Sequence, residues 1–472
     1  MARDKPSVAL IVGGGPAGMM AALLLARARV PVTVLEKHRD FLRDFRGDTV
    51  HPSTMEILHE LGLLERFLER PHYRLSQARL RIAGREWTIG DLSHLRTPAP
   101  FIAMMPQWDF LDFLRDEAES WPGFQLEMDA PVHGFIQKGS RIVGARLADG
   151  SERRADLVIA ADGRSSLVRA LGLLPVETLA VPMDVFWFRL PKRDEGGDAL
   201  RGSADAGRIV VLIDRGDYWQ VAMVIPKGAA DAIRGRGIGA VRQAVQDAFP
   251  DLDLGGGLDS TEDLHLLSVA LDRLTCWHRP GLLAIGDAAH AMSPIGGIGI
   301  NLAIQDAVAA ANVVAEAMAE GRAVDHLLAD VQRRRMLPTH LIQAAQKVAQ
   351  DRVLGRLLVA RQPVRRAPLI VRLLDRYPLL RRIPGRFIGL GIRREHVKSP
   401  SQSPSPRRGG NQVRPTPSPQ PSRLRDSRRS LRRTAPSSSS SARGRSGWRD
   451  PWSSCRSRRS RCRPAPGSRR SG

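Results

Sequence analysis

Gly13, Gly15 and Gly18 stand at G-x-G-x-x-G spacing, and an acid, Glu36, follows 18 residues after the last of them. That pattern can hold the phosphates and one ribose of an adenine dinucleotide. Gly13 permits a tight turn, Gly15 lets the backbone approach a pyrophosphate, and Gly18 lets a new helix press against the strand before it. Pro16 sits where a first helical turn tolerates proline. The N–H groups of Ala17 and Gly18 then point at the phosphates, helped by a helix dipole of about half a unit charge. Glu36 can accept hydrogen bonds from both ribose hydroxyls and would repel a 2′-phosphate.

Two more constellations carry chemistry. Asp162-Gly163-Arg164-Ser165-Ser166 follows an apolar run at 156–161. Asp162 and Ser165 can cap the helix that follows; the same residues also stand at the carboxyl edge of a sheet, where α/β proteins bind cofactors. In 281–307 a buried strand ends at Gly286-Asp287, and a loop with Pro294, Gly296, Gly297 and Gly299 leads into a long helix. Glycines this dense before a helix imply close backbone approach to a ligand. Arg46, in the loop before residue 54, can pair with a phosphate or sugar oxygen or stand alone at the surface, and His51 nearby reads as structural rather than catalytic. The sequence has no zinc-type ligand cluster and no serine nucleophile elbow.

The elements that must position these groups follow from periodicity. Residues 8–12 read as a strand buried on both faces and 32–35 as the next parallel strand. Helical spacing returns at 54–68 and 107–119, short strands are expected at 77–83 and 86–89, and a meander at 124–159. Strand-like runs at 183–190, 208–214, 218–225 and 262–271, with a covering helix near 238–249, make a second, antiparallel sheet; Arg215-Gly216-Asp217 is a hairpin turn within it. Phe186, Trp187, Phe188, Tyr218 and Trp219 gather there, and alternation sends some toward a cavity and the rest into the core. Residues 330–396 are basic and helical in pattern, broken by prolines into short pieces.

The net charge of +23 over 472 residues is unevenly placed: residues 401–472 hold 19 Arg, no Lys, two Asp and no Glu, a net of +17, leaving +6 for residues 1–400. The body is therefore not marked as a specific nucleic-acid binder. Cys455 and Cys462 lie in the tail and Cys276 alone in the body, so no disulfide framework is available and a reducing cytoplasm suits the chain. The start of the chain lacks the apolar stretch of a signal peptide, and no segment reaches the roughly 18 uninterrupted apolar residues of a membrane span. The Ser, Pro and Arg tail cannot bury a core and is expected to be disordered. Arginine without lysine resembles GC-rich DNA read out of frame, which marks 399–472 as a frameshifted or otherwise non-native end.

Taken in order, GGGPAG with Glu36, DLVIAADGRSSLVR and LLAIGDAAHAMSPIGGIGINLAIQDA resemble the FAD-dependent aromatic hydroxylases, the single-component flavoprotein monooxygenases of the para-hydroxybenzoate hydroxylase type, over residues 5–396. The resemblance implies an α/β fold: a Rossmann-like FAD-binding domain at 1–75, 98–180 and 273–330, an inserted antiparallel-sheet substrate domain of α+β character at 76–97 and 181–272, C-terminal helices at 331–398 and the tail at 399–472. It carries FAD contacts onto Gly13, Gly15, Pro16, Ala17, Gly18, Glu36, Lys37, Arg46 and Gln107. Asp162, Gly163, Arg164, Gly286, Asp287, Pro294, Gly297, Gly299, Ile300 and Asn301 complete that set, and no metal is implied. It further implies that NAD(P)H reduces FAD, that O2 adds to form a C4a-hydroperoxide, and that this species hydroxylates an aromatic or polyketide-like small molecule. The catalytic group stays open among His51, Tyr218, Pro294 or none. The alternatives are a flavin-dependent reductase, dehydrogenase or epoxidase of the same fold, and an adaptor that binds nucleic acid or membrane through the basic tail. The helices at 331–398 read as a cover for the FAD domain, with a membrane-surface contact as the sharper alternative.

Overall fold

The branched run Ala9–Val12 is a central strand of a six-stranded sheet with the order His278–Arg279, Leu282–Ala284, Leu157–Ala160, Ala9–Val12, Val32–Leu35, Phe124–Glu127. The structure, a computed structural model, describes residues 7–42, 49–192, 200–205, 207–255, 257–359, 364 and 366–401. All strands of this sheet run parallel except His278–Arg279 at one edge. Ala9 is in register with Val32 on one side and Leu157 on the other. The chain therefore winds outward in opposite directions from Ala9–Val12 and Leu157–Ala160. That switch point leaves a crevice beyond their carboxyl ends, where Gly13 and Asp162 follow.

Pro16–Arg27 leaves this crevice as a helix buried from Ala17 to Ala26, because the sheet covers one side and Gly299–Ala319 the other. Alanines on both helices let their backbones approach. Each fully buried leucine of the set Leu23, Leu24 and Leu25 stabilises the fold by about 1.5–3 kcal/mol. Ile295–Ala319 is long and apolar enough to cross a membrane, yet 78% of its most apolar window is buried inside the protein, which makes it a core helix.

The second sheet has seven strands in the order His265–Leu267, Met183–Pro191, Tyr218–Pro226, Arg208–Asp214, Leu200–Asp205, Gln77–Ile82, Arg85–Asp91. Its alternation sorts the aromatic residues. Phe186, Phe188 and Trp219 pack with Val241, Val245 and Phe249 under the covering helix Ile238–Ala248. Trp187 lies on the opposite face with Val211 and Ile213. Tyr218 shares that face by its even spacing from Gln220 and Ala222, and the Arg189 guanidinium lies 4.7 Å from its ring centroid.

Several expected elements differ in detail. The helix expected at 54–68 is two, Pro52–Glu60 and Leu64–Leu68, because Gly62 turns the chain at φ 71°. Phe124–Glu127 is no part of the meander; it pairs in parallel with Val32–Leu35, an edge position that its half-buried alternation suits equally well. The strand expected at 262–271 is a short turn, Thr261–Asp263, and a three-residue strand, while Leu271–Leu274 joins Val176–Leu179 and His290–Ala291. Pro338 does not break the chain either. It lies inside the 22-residue helix Leu328–Ala349, where the missing N–H costs one hydrogen bond and packing along the helix outweighs it. Arg46 and residues 402–472 lie outside the described residues.

Candidate active site

The three glycines of the first turn have different surroundings. A Cβ on Gly13, whose φ is 107°, would lie 2.4 Å from the Ala161 carbonyl oxygen, and one on Gly18 would lie 2.0 Å from the Gly13 carbonyl oxygen. Both positions are closed by the protein's own backbone. Gly15 has nothing within 4 Å of that point, so its outer side is open to a ligand. Gly15 is also the N-cap of Pro16–Arg27, and no side chain caps the helix. A half-buried, uncapped helix start leaves N–H groups and a positive dipole end for an anion. Beside it, the buried Glu36 carboxylate accepts from Gly14 N at 2.8 Å and from His38 N at 3.1 Å, which fixes it at the rim of the same turn. Lys37 is exposed and acts electrostatically on Asp162.

Asp162 follows the neighbouring strand and caps the short helix Leu167–Ala170 through Leu167 N at 2.7 Å and the Ser166 hydroxyl at 2.5 Å; Ser165, the other expected cap, is exposed. Burial pushes the Asp162 carboxyl above its ordinary pKa against those hydrogen bonds. Gly163 has φ 82° and open space around it. Arg164 reaches across to the third motif, donating from Nε to Asp287 Oδ2 at 3.0 Å and from Nη2 to the Met292 carbonyl at 3.1 Å. Its Nη1 is buried without a partner. Arg169 clamps the same loop from behind, donating to the carbonyls of Asp287 and Ala288 at 2.8 and 3.0 Å.

Gly286 brings the third motif onto the first. Its φ is 60°, and a Cβ there would lie 2.9 Å from the Ala17 Cβ and 3.2 Å from the Ala303 Cβ. Asp287 is thereby held next to the start of the glycine helix. A group that periodicity did not single out sets the position of Gly286. Asp306 Oδ2 accepts from Gly286 N at 3.1 Å and contacts His290 Nε2 at 2.6 Å, while its Oδ1 accepts from Arg335 Nε at 2.8 Å, all fully buried. Burial alone would raise the Asp306 pKa; His290 and Arg335 hold it below its ordinary value. An acid on the buried side of the largely apolar helix Gly299–Ala319 was the available signal, since such a residue needs a buried partner; the helix's other acid, Glu316, is exposed.

Beyond Pro294, Gly296 and Gly297 turn the loop at φ 77° and 63° into the helix at Gly299. A Cβ on Gly297 would lie 2.4 Å from Thr49 Oγ1, which donates to the Gly297 carbonyl at 3.0 Å. Thr49 pairs with Met104, three residues before Gln107, so Gln107 starts its helix near this loop. Ile300 packs against the main core. Asn301, the next residue of the loop-to-helix run, is buried and bonded within the protein, its Nδ2 donating to the Gly297 carbonyl at 3.4 Å. Its Oδ1 accepts from His51 N at 3.0 Å and from the Thr54 hydroxyl at 2.7 Å, which ties the helix to the preceding loop.

His51 is fully buried, with Nδ1 2.8 Å from the Ile388 carbonyl and Nε2 without a partner. Burial lowers its pKa to about 4, so it is neutral at pH 7 and a poor store for a substrate proton. The unfolded chain binds a proton near pH 6.5 and the folded one only near 4. Stability is then fully present above pH 6.5 and falls between 6.5 and 4, by about 3 kcal/mol. Urea unfolding of wild type and His51→Gln at pH 7.5 and 4.5 checks this; parallel losses in the two proteins would remove His51 as the cause.

The parts fit FAD. An open cradle at Gly15, an uncapped helix start, Glu36 at the rim of the same turn, and Asp287 with a buried Arg164 nitrogen short of an acceptor suit phosphate, sugar and ribityl groups. Among the described residues no group of three His, Cys, Asp or Glu side chains could hold a metal.

The profile of a family described as "FAD binding domain" matches residues 6–345. The 6-methylpretetramide 4-monooxygenase of Streptomyces rimosus is 33% identical over 393 residues, which cover 79% of this chain and 91% of that one. A rifampicin monooxygenase of Streptomyces venezuelae is 28% identical over 315 residues, covering 63% of this chain and 62% of its own length. In fold, the chain is similar to the p-nitrophenol 4-monooxygenase PnpA of Pseudomonas putida, with a TM-score of 0.62 and 20% identity over 82% of this chain and 96% of that one.

Proposed function

Since the chain belongs to the family of FAD-dependent aromatic hydroxylases, we propose that its substrate is a flat aromatic or polyketide-like molecule carrying phenol or carbonyl oxygens, held against the face of the second sheet opposite the helix Ile238–Ala248. The enzyme is an FAD-dependent monooxygenase that uses NAD(P)H and O2. Bound FAD supplies the redox chemistry, taking hydride from NAD(P)H and passing one atom of O2 to the substrate while the other leaves as water.

The chain's own residues bind and orient. The N–H groups at the start of Pro16–Arg27 hold the pyrophosphate, Glu36 takes the ribose hydroxyls, and Asp287, aimed by Arg164, takes the ribityl side. Residues 1–75, 98–180 and 273–330 form the FAD-binding part, and 76–97 with 181–272 the substrate part. One observation carries the substrate reading. Gln220 Oε1 accepts from Arg215 Nε at 2.8 Å, so its Nε2 points elsewhere, and that atom and Trp187 Nε1 are buried donors without a partner. Both lie on the face shared by Val211 and Ala222, where a dry wall excludes water and the donors await oxygen acceptors.

The direct test is an anaerobic titration. Holoenzyme with NADPH or NADH should lose its visible flavin band faster when a phenolic polyketide is present, and on admitting air should form hydroxylated product with O2 consumption. Product formation without O2 consumption would replace the monooxygenase reading with a reductase. Gln220→Leu should lower kcat/KM about ten- to hundredfold, the loss of one hydrogen bond to a charged oxygen, while FAD reduction without substrate stays unchanged. An unaltered kcat/KM would remove Gln220 from the substrate site.

A further inference from the structure

Of the sixteen large apolar side chains exposed among the described residues, seven lie between 369 and 383. They belong to two short helices, Leu369–Arg376 and Pro378–Leu390, which bend at Tyr377. Leu369, Ile370, Leu379 and Ile383 are 65%, 58%, 68% and 67% exposed. This is not a loose end of the chain. A Cβ on Gly385 would lie 1.9 Å from the Asp91 carbonyl oxygen and one on Gly389 would lie 2.7 Å from Leu95, so the inner side of the second helix rests directly on the edge strand Arg85–Asp91 and the residues after it. The buried end contributes Leu390 and Ile388 to the cluster that also holds Trp187.

Charge decides what covers the outer side. Arg366, Arg372, Arg376, Arg382 and Arg386 are exposed around the apolar stripe. The one acid between 352 and 394, Asp375, is turned inward and spent on Arg85 and on Thr88 N, at 3.3 and 3.2 Å. A second copy seated patch to patch would bring the arginines of both copies together with no exposed acid between them. A surface that offers an apolar phase and negative charge together is an anionic lipid bilayer.

We propose that the helices Leu369–Arg376 and Pro378–Leu390 dock this protein on anionic membrane surfaces, with Leu369, Ile370, Tyr377, Leu379 and Ile383 entering the interface and the arginines pairing with headgroup phosphates. The proposal stands apart from the identity of the substrate.

Flotation with vesicles of phosphatidylcholine containing 30% phosphatidylglycerol tests it on the full chain, so that the basic tail contributes equally to every variant. Leu379→Glu with Ile383→Glu should weaken partitioning about tenfold or more at ~0.15 M salt, with FAD content and NADPH oxidation unchanged. Arg382→Gln with Arg386→Gln should weaken it on these vesicles and leave the weaker binding to pure phosphatidylcholine as it was. Equal binding by wild type and both variants would overturn the proposal and assign binding to the tail. A Leu379→Glu/Ile383→Glu variant that binds vesicles normally but drops from dimer to monomer would overturn it too, showing a second copy on this face.

Discussion

Replacing Gly15 by aspartate should leave a folded protein that no longer takes up FAD. The side chain has room, since nothing lies within 4 Å of the position where its Cβ would stand. Its carboxylate would occupy the open side of the turn and face the diphosphate. At ~4 Å and an effective dielectric constant of ~20, each like-charge pair costs about 4 kcal/mol, about three orders of magnitude in affinity. Gly15→Ala adds a methyl without a charge and should lose far less. Gly18→Ala is the contrasting case: its Cβ would lie 2.0 Å from the Gly13 carbonyl oxygen, so the helix must leave the strand and the fold itself suffers. Flavin absorbance after gel filtration, with circular dichroism on the same samples, separates the outcomes. A yellow Gly15→Asp protein would place the pyrophosphate elsewhere.

The second large effect is expected far from any ligand. Asp306→Asn removes the negative centre of a buried group and leaves the Arg335 guanidinium, 1% exposed, without its counter-charge. Breaking a buried pair in this way costs about 3–5 kcal/mol. The same change weakens the hydrogen bond to Gly286 N and so loosens the turn that carries Asp287. Chemical denaturation should show the stability loss, and FAD should dissociate more readily from the protein that remains folded. The double change Asp306→Asn with Arg335→Met should recover most of the stability, because an absent charge needs no partner, but should not recover the FAD affinity. Recovery of both would show that the triad only supports the fold and does not position the turn.

Local chemistry was legible in the order of residues. A left-handed φ is available almost only to glycine, and a helix start, a strand's alternation and a two-sided buried strand each leave a pattern within a dozen residues. Those rules sufficed for the Gly13 turn, Glu36 at the end of the second strand, the hairpin at Gly216 and the helix that begins at Gly299. They also sufficed to say that Phe186 and Trp187 face opposite ways. They could not say which face is the core, because that depends on where the helix Ile238–Ala248 comes to lie.

Contacts between distant segments were decided only in three dimensions. Arg164 meets Asp287 across 123 positions, His51 N meets Asn301 across 250, and Asp306 selects His290 and Arg335 among many basic residues. Asn301 shows what periodicity could not give: its side chain joins the helix to Thr54 and His51, some 250 positions earlier in the chain. The same holds for the helices at 369–390. They were expected to cover the FAD domain or to contact a membrane; in the packed structure one side covers the edge strand Arg85–Asp91 of the second sheet instead, and the other stays exposed, because the close approach of Gly385 to Asp91 fixes which side turns in. Residue order specifies what each segment can do alone; burial and pairing across the sheet crevice decide which of those capacities remain available to a ligand.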